Sequence, residues 1–173
     1  LAIAEGVEQS SSVGRLRPKE LFDRLFWQRG AFNPNLQRTA YACSLVFSFL
    51  DKPNEGGVEV SLLADIAGQD ILQFIENVKA LEQRKLIQVR GYWKALLPHA
   101  MANRLAAESL SILKLRSVDR ILSTQGAERL LMSMYHRLSY LHDVAPARDF
   151  AREKLNQFQY EDLNSVNGDY KRK

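Results

Sequence analysis

Apolar residues recur at three- and four-residue steps through most of the chain, and the pattern breaks where Gly, Pro and Asn cluster. Leu21, Phe22, Leu25 and Phe26 form the first stripe, so Pro18 to Trp27 is predicted as a helix with Pro18 in its first turn. Asn33, Pro34 and Asn35 then break the chain and supply a cap. A second helix follows over 36–50, with Ala40, Cys43, Phe47 and Leu50 on one side and Leu45, Val46 and Phe49 widening the face. A stripe that broad predicts burial on several sides. Past a loop at 52–57, Val58, Glu59 and Val60 alternate and read as a short edge strand. Ser61 caps a brief helix, Leu62 to Ala67, which Gly68 stops. Ile71, Phe74, Ile75, Val78 and Leu81 predict a helix over 70–85, and two β-prone runs around Arg90 and Gly91 predict a hairpin.

Helix, short strand, helix, turn, helix, hairpin is the order of a winged helix-turn-helix. The hairpin runs without a linker into a helix opened by Pro98, and everything beyond reads as helical, over 99–114, 117–124, 126–142 and 146–157. The short helices after 117 have the form of antiparallel pairs, as at the start of a superhelical array. The expected fold class is therefore mainly α: a winged helix with a small β-hairpin wing, followed by an α-helical extension. The expected organisation is a disordered tail (1–14), a linking helix (15–34), the winged helix (35–97), the extension (98–160) and a polar tail (161–173). A free-standing DNA reader usually stops or dimerises after its wing, so a wing that continues into helices predicts an internal module of a larger protein. The absence of an initiator Met raises the same expectation.

Charge narrows the choice of partner. The net charge is +4, yet residues 35–110 carry eight Lys/Arg and eight Asp/Glu. Residues 111–173 carry eleven against eight, and Lys171, Arg172 and Lys173 supply that whole excess. A basic footprint is the first requirement for gripping phosphates, and the winged-helix region lacks one. No apolar run is long enough to cross a bilayer, and no secretory signal opens the chain, so no membrane partner is expected. The single cysteine, Cys43, suits a reducing cytoplasm, and its place on an apolar face makes it a buried, inert thiol.

Motifs for chemistry are missing. There is no phosphate-binding Gly loop, no paired Cys/His metal signature and no nucleophile elbow, so neither a catalytic site nor a metal is expected within these residues. His136 and His142 are six residues apart, off a common helical face, and read as partly exposed helical histidines. The alternative function is a DNA-binding transcriptional regulator with a helical dimerisation region. On that reading the 70–85 helix turns Asp70, Gln73, Glu76, Asn77 and Ala80 outward, and Gln73, Asn77, Lys79, Arg90 and Lys94 are the DNA contacts. Asp70 and Glu76 carry the wrong sign for that role, and Lys79 sits late in the helix. Trp93 and Tyr92 read as domain-packing aromatics, and Phe22, Phe26 and Trp27 as candidates for apolar contacts severed from a larger protein.

Several positions together resemble a known family. They are Leu45, Val46 and Phe47; Leu62, Leu63 and Ala64; Phe74, Val78 and Leu81; Lys85, Leu86 and Ile87; Gly91 and Tyr92; Leu97 and Pro98; and Asn103 to Ala106. They resemble the winged-helix domain of STAND NTPases, AAA-like P-loop ATPases of apoptosome, plant immune-receptor and bacterial defence proteins. Glu128 to Asp143, with Ala147, Arg148 and Leu155, is similar to the first helical pair of the superhelical sensor that often follows. The resemblance spans about residues 36–158 and rests on diffuse apolar patterns. It implies a non-catalytic regulatory segment for signal transduction, with ADP or ATP bound by an upstream domain that these residues do not include. It also implies contacts with other domains of the same polypeptide, and homo-oligomers. In that family the helix after the wing opens with Met-His-Asp, whose histidine touches the β-phosphate of ADP. His99 occupies that position, with Pro98 for the Met and Ala100 for the Asp. An imidazole at a helix N-terminus is a sensible anion sensor; a capping surface histidine is the other reading.

Overall fold

The computed structural model describes residues 24–28, 30–51 and 57–169. Seven helices lie among them: α1 (Pro34–Ser44), α2 (Gly57–Ala67), α3 (Ile71–Gln83), α4 (His99–Ser109), α5 (Leu115–Leu122), α6 (Glu128–Ser139) and α7 (Ala145–Asp169). The strands are β1 (Trp27–Gln28), β2 (Ala31–Phe32), β3 (Phe49–Leu50), β4 (Ile87–Arg90) and β5 (Trp93–Leu96). Strands β1 and β2 pair as a two-residue ladder, and β3, β4 and β5 make an antiparallel sheet in the order β3-β5-β4. The sequence α1, β3, α2, α3, β4, β5 with that strand order is a winged helix-turn-helix, so the chain is mainly helical with a small β wing.

Local chemistry sets the boundaries. Asn33 caps α1 by accepting from the Leu36 amide at 3.0 Å, with Pro34 pre-set in the first turn. Asp70 caps α3 by accepting from the amides of Leu72 (2.8 Å) and Gln73 (3.4 Å). At the other end of α3, Lys85 takes a left-handed φ of 61° and the Leu86 amide reaches back to the Leu81 carbonyl at 3.0 Å, turning the chain into β4. Gly91, at φ +62°, takes the conformation that a two-residue hairpin loop asks of its first central position.

Helix α1 is the centre of the core and packs against α2, α3, α4 and β5, as the breadth of its apolar face requires. It ends at Ser44, however, and Phe49–Leu50 leaves the predicted 36–50 helix to become β3. The edge strand expected at Val58–Val60 is instead the first turn of α2. Val60, Leu63, Ala64 and Ala67 are all buried at helical spacing, so a short alternation was outweighed by a longer period. Glu59 supplies a second reason. Only 5% exposed, its carboxylate accepts from the Leu50 amide at 2.6 Å and pairs with Arg129, an arrangement a strand there could not reach. The helix predicted over Pro18–Trp27 ends early: Arg24 is helical, but Trp27 belongs to β1, and Phe26 is buried in the core rather than left bare. The rest of that helix, with Leu21 and Phe22, and the 1–14 tail lie outside the described residues. Helix α7 continues to Asp169, well past its expected end at 157, so residues 161–169 are helical.

One apolar cluster runs from Phe26 to Phe150 and takes in both the winged helix and the extension. Within the extension, Asp119 on α5 is the polar centre. It accepts from the Tyr135 phenol of α6 at 2.9 Å and pairs with Lys154 of α7 at 2.7 Å. Burial and then the bond to Asp119 push the Tyr135 pKa up to about 12. Replacing Asp119 by Asn keeps the shape and removes the charge that both neighbours use. Asp119→Asn is expected to cost about 2 kcal/mol in urea unfolding and to lower the Tyr135 ionisation in an NMR titration of ring-labelled tyrosine. An unchanged Tyr135 titration would rule out Asp119 as the group that ties α5 to α6.

Candidate functional site: the junction around Phe47, His99 and Arg137

Three segments meet where the winged helix joins the extension. Phe47 comes from the link between α1 and β3, His99 from the first turn of α4, and His136 and Arg137 from the end of α6. The Phe47 ring stacks on His99, with centroids 4.7 Å apart, and on His136 at 4.3 Å; Tyr140 lies 6.2 Å away in the same orientation. The Arg137 guanidinium carbon sits 5.3 Å from the centre of that ring. Two shallow clefts, of about 220 and about 400 Å³, share Phe47 and Ser48, one toward the wing and one toward α6. A larger hollow, about 1050 Å³, lies elsewhere, between the α4–α5 turn and α7.

Arg137 is fully buried, yet none of its partners is charged. It donates to Asn103 Oδ1 on α4 at 2.5 Å and to the Val46 carbonyl at 3.4 Å, and its Nε is buried without a partner. Burial lowers its pKa, with Tyr140 working the other way, but a guanidinium stays protonated at any physiological pH. Its neighbour His99 is depressed below the ordinary imidazole value, first by desolvation and then by the charges of Arg137 and His136. His99 is exposed, and Pro98, which precedes it at the N-cap, makes no side-chain cap, so the first turn of α4 opens toward solvent.

Of the five residues named for DNA contact, three are exposed and two have partners inside the fold. Gln73, Lys79 and Arg90 are exposed. Asn77 does not face outward: it is buried and donates through Nδ2 to Gln69 Oε1 at 3.0 Å, and Gln69 in turn bonds Thr39 and the Asn35 carbonyl. Ala80 also packs against the core, whereas Ile71 is more exposed than expected. Lys94 is spoken for by Asp51 at 2.7 Å and by Glu82. Burial alone would lower its pKa, but those two hydrogen-bonded carboxylates outweigh it and raise the value. Arg84 donates to the carbonyls of Leu25 and Trp27. The exposed N-terminal face of α3 offers Asp70, Ile71, Leu72 and Glu76, with Leu72 69% exposed. Tyr92 is exposed at the hairpin tip, and Trp93, half exposed, lies under the Arg129 guanidinium at 4.7 Å.

Cys43 is buried and unpaired, and desolvation pushes its thiol pKa up, which leaves it a packing residue. His142 follows the end of α6 and does not join the Phe47 cluster. Among the described residues no group of His, Cys, Asp and Glu could hold a metal ion, and no helix is long and apolar enough to cross a membrane. No protein-family model, curated protein or solved structure matches this chain.

The sequence singled out His99 as a phosphate contact, and the structure puts it in the Phe47 stack; the sequence pointed to neither Arg137 nor the stack. The signal for Arg137 was present: it falls on the buried stripe of Leu130, Ser133 and Met134 at three- and four-residue steps. Arg137→Met keeps the stem and removes the fork, leaving Asn103 and the Val46 carbonyl without their donor. The expected loss is about 2 kcal/mol in denaturant unfolding, and His99 should titrate higher by NMR once the neighbouring charge is gone. Because the folded His99 value lies below the unfolded one, the stability linked to it is present above the ordinary value of 6.5 and lost as pH falls through the folded value. An Arg137→Met chain with undiminished stability and an unmoved His99 would contradict this account of the junction.

Proposed function

We propose that this chain is a non-catalytic regulatory segment of a multidomain signalling NTPase of the STAND type. In this reading the winged helix docks on another domain of the same polypeptide, and the helices beyond Pro98 carry its position to a helical sensor. The observation that supports it best is the buried Arg137, which joins α6 to α4 and to the end of α1 in one unsplit core. A winged helix held this way cannot swing independently of the extension. A displacement of one is passed to the other as a rigid-body motion, the requirement for coupling a nucleotide state to a distant element. In this reading nucleotide is bound by an upstream domain and His99 meets its phosphate, a role supported by the exposure of His99 at the first turn of α4. A reducing cytoplasmic setting goes with this reading.

The composition of the surfaces also favours a protein partner over DNA. Where a helix-turn-helix reader uses its N-terminal residues on base edges and phosphates, α3 presents Leu72, Ile71 and two carboxylates. Exposed large apolar side chains rimmed by charge are the features of a protein interface. Exposed Gln73, Lys79 and Arg90 keep the transcriptional-regulator alternative testable. In a fluorescence-anisotropy titration with labelled duplex DNA at low and moderate salt, no binding tighter than about micromolar is expected. Tight binding that weakens steeply with salt, and that Arg90→Ala or Lys79→Ala reduces, would replace the coupling reading with the regulator.

A further inference from the structure

The seam between the winged helix and α6 is closed by hydrogen bonds whose donors are adjacent in the chain. The Phe47 amide donates to the Ser133 carbonyl at 3.1 Å, and the Ser48 amide donates to Ser133 Oγ at 2.9 Å. Ser133 Oγ donates in return to the Ser48 carbonyl at 2.6 Å. Beside these bonds stands the Phe47 ring, with one histidine from each side of the seam stacked on it: His99 from α4 and His136 from α6.

The charged groups around the two imidazoles are positive or already matched. The wing contributes Arg90 and Lys94, and Lys94 is held by Asp51 and Glu82. Helix α6 contributes Arg137, whose partners are neutral, and Arg129, which is held by Glu59. It also contributes the phenols of Tyr135 and Tyr140, the latter 3.4 Å from His136 Nε2. Helix α4 brings the neutral Asn103, and further along it Arg104 is paired with Glu108 at 3.3 Å. The segment from Phe47 to Ser48 brings no ionisable side chain. Among the described residues no carboxylate forms an ion pair with either imidazole. A single cation gains from the face of an aromatic ring, and Arg137 already occupies that place at Phe47. Two further positive charges at the same ring meet Arg137 and each other.

We propose that His99, Phe47 and His136 form a proton-sensitive latch: with both imidazoles neutral the seam between the winged helix and the extension is closed, and when both are protonated beside Arg137 it opens. The downward shift of His99 agrees with that direction, since its neighbours resist the charge. The latch is a property of this chain and does not depend on which partner the winged helix meets. Opening exposes Phe47, Val46 and the buried guanidinium, and it releases α6 from α1 without unfolding α3.

Amide hydrogen exchange of the full chain, followed by NMR between about pH 8 and about pH 5, tests the latch. Rates are divided by the intrinsic rate at each pH, so that protection reports the opening equilibrium. Protection of the Phe47 and Ser48 amides is expected to fall about tenfold or more on acidification, the scale of a like-charge contact near a protein surface, while Val78 and Leu81 in α3 hold theirs. The double variant His99→Phe with His136→Phe keeps the stacked rings without a titrating group, and its seam amides should lose the pH dependence. Should that variant fail to fold, His99→Gln and His136→Gln made singly should each shrink the effect to roughly threefold. Seam protection that does not change with pH, a fall shared equally by Leu81, or a full effect persisting in the variants would each overturn the latch.

Discussion

The architecture depends on one buried positive charge. Arg137 carries a guanidinium into the core with no carboxylate beside it, at a desolvation cost that only good hydrogen bonds offset. Its planar fork lets it serve an amide oxygen on α4 and a backbone carbonyl at the end of α1 together, which lysine, a point charge, would do poorly. Because those acceptors belong to different elements, the stabilisation exists only when all three are in register. The stacked aromatic group around Phe47 follows from the same constraint. An aromatic face is one of the few neutral surfaces that attract a cation, and the rings of His99 and His136 complete its cover. Desolvation and the Arg137 charge together hold His99 below the ordinary imidazole value.

The other charges obey a related logic. Glu59 and Arg129 tie α2 to α6, Asp119 joins α5 to Tyr135 and Lys154, and Lys94 is enclosed between Asp51 and Glu82. Each group crosses between elements, and each ion pair has at least one largely buried partner. The net charge of +4 therefore overstates the cations that remain unmatched around the helix-turn-helix. Two of the cations that a positional reading of α3 and the wing would offer to phosphate, Lys94 and Arg84, serve internal acceptors instead.

The winged helix was legible in the sequence because its signals are local. Period-3.6 stripes marked α1 and α3, Asn33 and Asp70 marked their starts, and Gly91 marked the hairpin. The misread pieces are those that local pattern cannot decide. Phe49 and Leu50 continue an apolar helical stripe, yet pairing with Trp93 and Lys94, over forty residues away, makes them a strand. Val58 to Val60 looks like a strand until Glu59 is known to reach Arg129. Asn77 was assigned to solvent by helical geometry alone, but it is buried and donates to Gln69, which in turn donates to the Asn35 carbonyl. The candidate site was legible only at His99. Its partners come from α6 and from the α1–β3 link, which no sequence spacing connects, and Arg137 gave no sign beyond an arginine on an apolar stripe.

What the fold can be asked to do follows from where it is tied together and where it is bare. A winged helix is a scaffold hosting unrelated roles, so function has to be argued from surfaces and junctions and not from the fold's name. The tied part here is the junction, where a buried charge, two inter-element serine bonds and the stacked rings bind the winged helix, α4 and the extension together. A bare part is the N-terminal face of α3, where Leu72 is 69% exposed. A DNA reader needs a cationic, polar version of that face and gains little from a rigid tie to downstream helices. A mechanical coupler needs the reverse: an apolar and acidic face that seats on protein, and a junction that transmits displacement instead of absorbing it. The apolar and acidic face of α3 and the tied junction are the observations on which the proposed coupling role rests, and the proposed latch acts at the two stacked histidines of that junction.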